Sequence, residues 1–352
     1  MATRERRERS DQIDRELQAL YLDALNLVGL SESGGESLAL AAVGGYGRGE
    51  LSPGSDIDLL ILHDGSLTDA KLSEVTNAIL YPLWNQTRSV DHSVRTRNET
   101  LENARGDLRV QLGLLDIRFI CGSAPLVEQV ARDSQENWRK NFSSYLPALG
   151  KSIDERAKQS GELAYLLEPD LKESRGGLRD INTLRAISRS QAVEVAFDRL
   201  AASEALLLNV RDSLHSLTKR SRDQLMLTEQ DAVAADLGYS DADVLMFEIA
   251  KAARAVDYVM DLTWHRIEHQ GGDRWWKRSR QEVVGRGLLV KNNEIVSDPS
   301  FDISLDPTFG LRAAAISAQR GIPLSIETCI EIAENFADLP DPWPRQSRED
   351  LV

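Results

Sequence analysis

The sequence predicts an α+β protein in which a small mixed sheet carrying helices is followed by an α-helical bundle. Three observations predict it. Two apolar runs, at 37–43 and 56–63, are joined by a glycine turn and a short connection. Over roughly the first 100 residues such runs alternate with helical stretches, an order that suits a small mixed sheet with helices on one side. From about Val127 to His269, apolar residues recur only at helical spacing.

The elements follow in order. Residues 1–30 form a lead helix, with Ile13, Leu17, Leu20, Tyr21, Ala24 and Val28 on one stripe. Residues 31–125 form the sheet domain. After a loop at 31–36, the strands 37–43 and 56–63 come first, the second broken by Asp64-Gly65-Ser66. Leu72, Val75, Ile79 and Leu83 mark a helix, and 87–96 is rich in β-formers and reads as a third strand. One helical stretch runs from Asn98 to about Leu115, and 117–121 is a short extended piece ended by Gly122. Residues 126–270 form the helical domain. Leu206, Val210, Leu214 and Leu217 mark one long helix and 244–267 another, with Thr228 and Ser240 as expected N-caps. A single charged loop, EPDLKESRGGLRDIN at 168–182, interrupts the helices around Gly176-Gly177, and loops of this kind often carry function. Residues 271–340 combine a β-hairpin, turning at Asn292-Asn293, with two helices. The proline-rich 341–352 reads as a linker.

Composition narrows the function. The 352 residues are enough for two or three domains. A hydrophobic content of 41% and a charged content of 28% are ordinary for a soluble protein, and no apolar run approaches a membrane span. The N-terminus, MATRERRERS, leads into an amphipathic helix rather than a signal peptide, so a cytoplasmic location is expected. Cys121 and Cys329 are the only cysteines, which gives neither metal spacing nor a disulfide framework. A net charge of −14 argues against a broad nucleic-acid surface, although it leaves room for a local basic pocket.

The chemistry concentrates in AAVGGYGRGELSPGSDIDLLIL, residues 41–62. Side chains alternate along a strand, so Asp56 and Asp58 point to one face and Ile57 to the other. Two carboxylates on one face repel unless a cation lies between them, and Mg²⁺ takes such oxygens together with water and substrate phosphates. The glycine turn lets backbone N–H groups approach a phosphate closely. Gly44, Gly45, Arg48 and Ser55 are therefore nucleotide-side candidates, and Arg48 reads equally as a structural ion pair. The spacing matches neither a P-loop nor a dinucleotide fingerprint. The pattern predicts metal-dependent nucleotidyl transfer with two Mg²⁺ ions. A third carboxylate is expected from a neighbouring strand: Asp91, between β-formers, or Asp116. Lys172 and Arg179 in the 168–182 loop are candidates to close over a triphosphate, and a plain helix–loop–helix junction explains that loop as well. His63-Asp64 ends a strand without partner histidines, and Trp275-Trp276 reads as packing.

Residues 44–62, GGYGRGELSPGSDIDLLIL, resemble the nucleotidyltransferase motif of the bacterial PII-protein uridylyltransferase/uridylyl-removing enzymes, within the DNA polymerase β-like superfamily. LKESRGGLRDINTL, at 171–184, resembles the second signature of that family, and HSVRT at 92–96 also fits. The resemblance implies a polymerase β-like domain followed by the helical domain. It implies transfer of UMP, or AMP, from UTP or ATP to a tyrosine of a trimeric PII-type nitrogen-signalling protein, with release of pyrophosphate. By the same resemblance Gly44, Gly45, Asp56 and Asp58 occupy nucleotide and metal positions, and Asp91 falls inside a matching segment. Members of the family continue into an HD phosphohydrolase domain and two ACT domains, neither of which is found in these 352 residues. The transferase half alone is the expectation. Two other readings remain open at this stage: the same chemistry on a small molecule or RNA end, and a non-catalytic nucleotide-sensing module.

Overall fold

The computed structural model describes residues 2–30, 36–86, 89–270 and 282–335, together with 342–345 and 348. Trp275-Trp276 and most of 341–352 lie outside the described residues. The chain divides into two units, 1–260 and 261–352.

In the first unit, helix α1 (Ala2–Leu27) begins well before its apolar stripe. Near its start Arg6 is buried and donates from Nη1 to Asp212 Oδ2 at 2.7 Å. The sheet comprises β1 (Leu38–Ala42), β2 (Ile57–His63), β3 (Val90–Thr96) and β4 (Arg118–Gly122), in the order β3-β2-β1-β4. β1 runs antiparallel to β2 and β4, and β2 runs parallel to β3. A single helical turn, α2 (Gly44–Gly47), follows β1, and α3 (Asp69–Asn85) crosses from β2 to β3.

Helices cover both faces of this sheet, not one. Leu38, Leu40, Ile57, Leu59 and Ile61 pack on Leu17, Tyr21, Val75, Ile79 and Leu83 of α1 and α3. The alternate positions Ala39, Ala41, Leu60 and Leu62 pack with Ala104, Leu114, Val127 and Val130. The physical reason is visible in the strands themselves, since LALAA and LLIL have no polar alternation and so require burial on both sides. The expected single helix at 98–115 is two, α4 (Arg97–Gly106) and α5 (Leu108–Leu114), because Asp107 leaves the helical region (φ −129°) and caps α5 through Arg109 N.

The helical half contains α6 (Ala124–Ser160), α7 (Leu178–Ser190), α8 (Ala201–Thr218) and α9 (Leu227–Leu237), followed by α10 (Ala242–Gln270), whose last turns belong to the second unit. Trp138 of α6 is fully buried and donates from Nε1 to Ala186 O of α7 at 2.7 Å. Neither expected N-cap stands. Thr228 is already inside α9, which begins at Leu227 with Glu229 turned back to Met226 N. Asp241, not Ser240, accepts from Val244 N at 2.8 Å, and a carboxylate is the stronger acceptor at the positive end of a helix.

In the second unit, β5 (Glu282–Gly285), β6 (Leu288–Lys291) and β7 (Glu294–Ser297) form an antiparallel meander. Asn292 and Asn293 turn between β6 and β7 with φ of 53° and 61°, as a two-residue hairpin turn of the primed type demands. α11 (Phe309–Arg320) and α12 (Ile326–Glu334) complete it, with Leu288, Ile295, Phe309 and Ala313 as the core. Among the described residues no helix is long and apolar enough to cross a membrane.

Candidate active site

Asp56 stands just before β2 and Asp58 is its second residue. By strand parity Asp58 shares a face with Leu60 and Leu62, the face toward α4–α6. The parallel register of β2 and β3 sets Asp58 directly beside Asp91. Asp56 and Asp91 are exposed, and Asp58 is half-buried. Burial, then the neighbouring charges of Asp91 and Asp56, pushes the Asp58 carboxyl up to about 6, against the opposing pull of Lys172 and Arg48. Three acids therefore crowd one site.

The glycine turn is shaped around this group. Gly44 has φ +56°, a conformation that strains any L side chain, and a Cβ there would press on Asp58 Oδ2 at 3.1 Å. Val43 N donates to Asp58 O at 3.1 Å and ties the turn to the strand.

Arg48 and Asp116 belong together. Arg48 donates to Glu50 Oε2 at 2.6 Å and to Asp116 Oδ2 at 2.5 Å. Asp116 also pairs with Arg189 of α7 at 2.6 Å. The ion pair expected as one reading of Arg48 is thus present, and Arg48 also lines the cleft. Asp116 is held between two guanidinium groups, whereas Asp91 lies beside Asp58.

The 168–182 loop is internally braced. Asp170 Oδ1 accepts from Lys172 N at 2.9 Å and Glu173 N at 2.7 Å. Arg175 pairs with Asp257 of α10. Gly176 N donates to Asp180 Oδ2 at 2.8 Å, and Asp180 pairs in turn with Arg156 at 2.6 Å. Gly176 has φ +83°, and a Cβ would meet Ala253 O at 2.6 Å, so only glycine lets the loop sit on α10. The braced loop presents Lys172 close enough to Asp58 to lower its pKa, and it leaves Arg179 exposed, paired with Glu173 at 2.7 Å.

All of Gly44, Gly45, Arg48, Ser55, Asp56, Asp58, Asp91, Lys172 and Arg179 line one cleft of about 1180 Å³. Its lining also includes Arg211 and Asp223, which no sequence pattern singled out. Among the described residues no three His, Cys, Asp or Glu side chains form a ready-made metal cluster. The donors present still suit a hard divalent cation, because burial and then the charges of Asp91 and Asp56 raise the Asp58 pKa, and a cation would relieve both. Such an ion would be held by one or two carboxylates with triphosphate oxygens and water, the mode typical of Mg²⁺.

Two segments of the chain match known families. Residues 29–105 match the family described as "Nucleotidyltransferase domain". Residues 148–264 match the family described as "GlnD PII-uridylyltransferase". The chain is thus similar to nucleotidyltransferases in its first segment and to PII-uridylyltransferases in its second. It is 42% identical over 330 residues to a bifunctional uridylyltransferase/uridylyl-removing enzyme of Streptomyces coelicolor, covering 90% of this chain and 39% of that protein. It is 33% identical over 347 residues to proteins of the same description from Mycobacterium tuberculosis, covering 95% of this chain and 43% of the relative. A third, from Corynebacterium glutamicum, is 33% identical over 316 residues, 89% of this chain and 44% of the relative. The chain thus spans about two fifths of the length of these relatives. The two family segments meet at the cleft: 29–105 contributes the glycine turn and the three acids, and 148–264 contributes the braced loop with Lys172 and Arg179.

Proposed function

We propose that the chain transfers a nucleotidyl group, UMP or AMP, from the triphosphate to a tyrosine hydroxyl of a trimeric PII-type signalling protein in the cytoplasm. The acceptor oxygen forms a bond to the α-phosphorus, the bond from that phosphorus to the α–β bridging oxygen breaks, and pyrophosphate leaves. The observation that carries this reading is the convergence, in one cleft, of Asp56, Asp58 and Asp91 with the Gly44 turn and the Lys172 loop.

Asp56, Asp58 and Asp91 are the residues that would hold two Mg²⁺ ions. When bound, these ions neutralise the triphosphate and lower the pKa of the attacking hydroxyl. The chain's own residues do the rest. In this reading Asp91, exposed on the edge strand of the sheet, takes the tyrosine proton. Gly44, Gly45 and Ser55 position the phosphates, and Arg48 braces the wall behind them. Lys172 and Arg179 supply positive charge from the loop side. The acidic balance of the chain favours a protein acceptor over an RNA end.

The test is a panel of four labelled nucleoside triphosphates, with Mg²⁺, against a purified PII-type protein. Label appearing on the acceptor with one or two triphosphates, and lost in Asp58→Ala with an unchanged circular dichroism spectrum, is the expected result. Undiminished transfer by Asp58→Ala would sink the assignment. Transfer to a small molecule or RNA, with none to the PII-type protein, would move the acceptor. Nucleotide binding indifferent to Mg²⁺, with no transfer at all, would favour a sensing role.

A further inference from the structure

The turn that feeds the acids into β2 is held by side chains of the helical half, none of which lies in a signature. The turn spans 52–55. Ser55 N donates to Ser52 O at 3.0 Å, and Ser55 Oγ accepts from Ser52 N at 3.1 Å. Arg211 of α8 reaches it, donating from Nη1 to Ser52 Oγ at 3.1 Å and to Ser55 Oγ at 3.3 Å. The other edge of the same guanidinium grips Asp223, with Nε to Oδ1 at 2.6 Å and Nη2 to Oδ2 at 3.4 Å. His215 Nε2 adds a contact to Asp223 Oδ1 at 2.9 Å. These side chains are 12%, 10% and 0% exposed for Arg211, Asp223 and His215, so the network is shielded from water and its geometry is well defined.

Asp223 also meets the signature loop. Its Oδ2 lies 3.9 Å from Lys172 Nζ, its carbonyl accepts from Leu171 N at 2.9 Å, and Leu225 N donates to Pro169 O at 2.9 Å. Burial alone would push the Asp223 carboxyl up, but the His215 hydrogen bond and the Arg211 charge outweigh it and hold it at about 2. It stays ionised across the working range. One carboxylate thus connects, through Arg211, to the residue next to Asp56 and, through Lys172 and the backbone pairing, to the loop facing Asp58.

We propose that Arg211 and Asp223 are positioning residues for the transfer: they lock the 52–55 turn in register with the 168–172 loop, so that Asp56, Asp58 and Lys172 hold a single geometry. The proposal rests on the nucleotidyl-transfer reading above. It differs from a plain stabilising ion pair in requiring the fork of a guanidinium. Arg211 spans a carboxylate and two hydroxyls at once, which the single ammonium of a lysine cannot do.

The test uses Arg211→Lys, Asp223→Asn and Ser52→Ala in the 352-residue chain. Two readouts are taken: steady-state transfer to a PII-type protein, and amide hydrogen exchange without nucleotide or metal. Displacing reacting groups by about 1 Å costs about 100-fold in rate, so kcat is expected to fall between about tenfold and 100-fold in Arg211→Lys and Asp223→Asn, with KM for the triphosphate moving less than about threefold. Arg211→Lys should not rescue, and the double variant should lose no more than the worse single one, because the pair acts as a unit. Exchange at 52–58 should quicken while β1 and α8 keep their protection. If Asp223→Asn does not fold, Ser52→Ala decides, since it removes one hydroxyl and leaves the buried pair intact. A kcat within about twofold of the parent, or faster exchange spread evenly over the chain, would overturn the proposal. If the parent chain itself transfers nothing, the functional reading fails, while the exchange experiment still tests the lock.

Discussion

Replacing Asp58 with asparagine should stabilise the protein at neutral pH while abolishing transfer. Burial and the adjacent Asp91 and Asp56 raise the Asp58 pKa from 3.8 to about 6. At about 1.4 kcal/mol per pH unit this shift corresponds to about 3 kcal/mol of penalty for keeping the carboxylate charged in the folded chain. The site opens to solvent at Asp56 and Asp91, so screening brings the measurable value to about 1–3 kcal/mol. The direction with pH follows from linkage. Below the unfolded value of 3.8 the group is protonated in both states and contributes nothing. Between 3.8 and about 6 the folded chain holds the proton more tightly, so stability falls as pH rises; above about 6 the penalty is complete. Urea unfolding of wild type and Asp58→Asn at pH 4, 5, 6 and 7, in the presence of a chelator, reads this out. The variant should gain about 1–3 kcal/mol at pH 7, and the gain should vanish near pH 4. A variant no more stable than wild type at pH 7, or a gain that does not shrink on acidification, would refute the claim that burial and the charges of Asp91 and Asp56 penalise the Asp58 carboxylate.

Arg48→Met should destabilise the fold by about 3 kcal/mol in urea unfolding at pH 7, because Glu50 and Asp116 lose a shared, largely buried partner. Gly47→Ala should cost more than about 2 kcal/mol, read as lost soluble yield or a lower urea midpoint, since its Cβ would fall 1.9 Å from the backbone oxygen of Asp116. Lys172→Met removes a charge that lowers the Asp58 pKa. The acid limb of the pH–rate profile should therefore move to higher pH, and KM for the triphosphate should rise about tenfold, the worth of one charge-assisted contact.

Much of the sheet domain was legible because strand alternation is a local property. The placement of Asp56 and Asp58 opposite Ile57 follows from pleating alone, and the Asn292-Asn293 hairpin follows from turn chemistry. Helices on both faces are written in the uninterrupted LALAA and LLIL runs, whereas the strand–helix order alone suits helices on one face. The N-caps of α9 and α10 were misplaced by one or two residues, because cap choice depends on which side chain reaches an amide after folding.

The sequence by itself determined the D-x-D pair, the glycine turn before it and the charged loop around Gly176, since each is a short-range pattern written in consecutive residues. Only the tertiary structure decided which distant groups meet them. Asp91 and Asp116 look equivalent in one dimension. The parallel register sets Asp91 beside Asp58, whereas Arg48 and Arg189 enclose Asp116. Arg211 and Asp223 carry no motif at all, and they enter the cleft wall because α8 and the 223–225 segment pack where the 52–55 turn and the 168–172 loop converge. Strand faces and turns are set by neighbours along the chain, whereas ion pairing is set by neighbours in space, so groups far apart in sequence meet only once the core has closed.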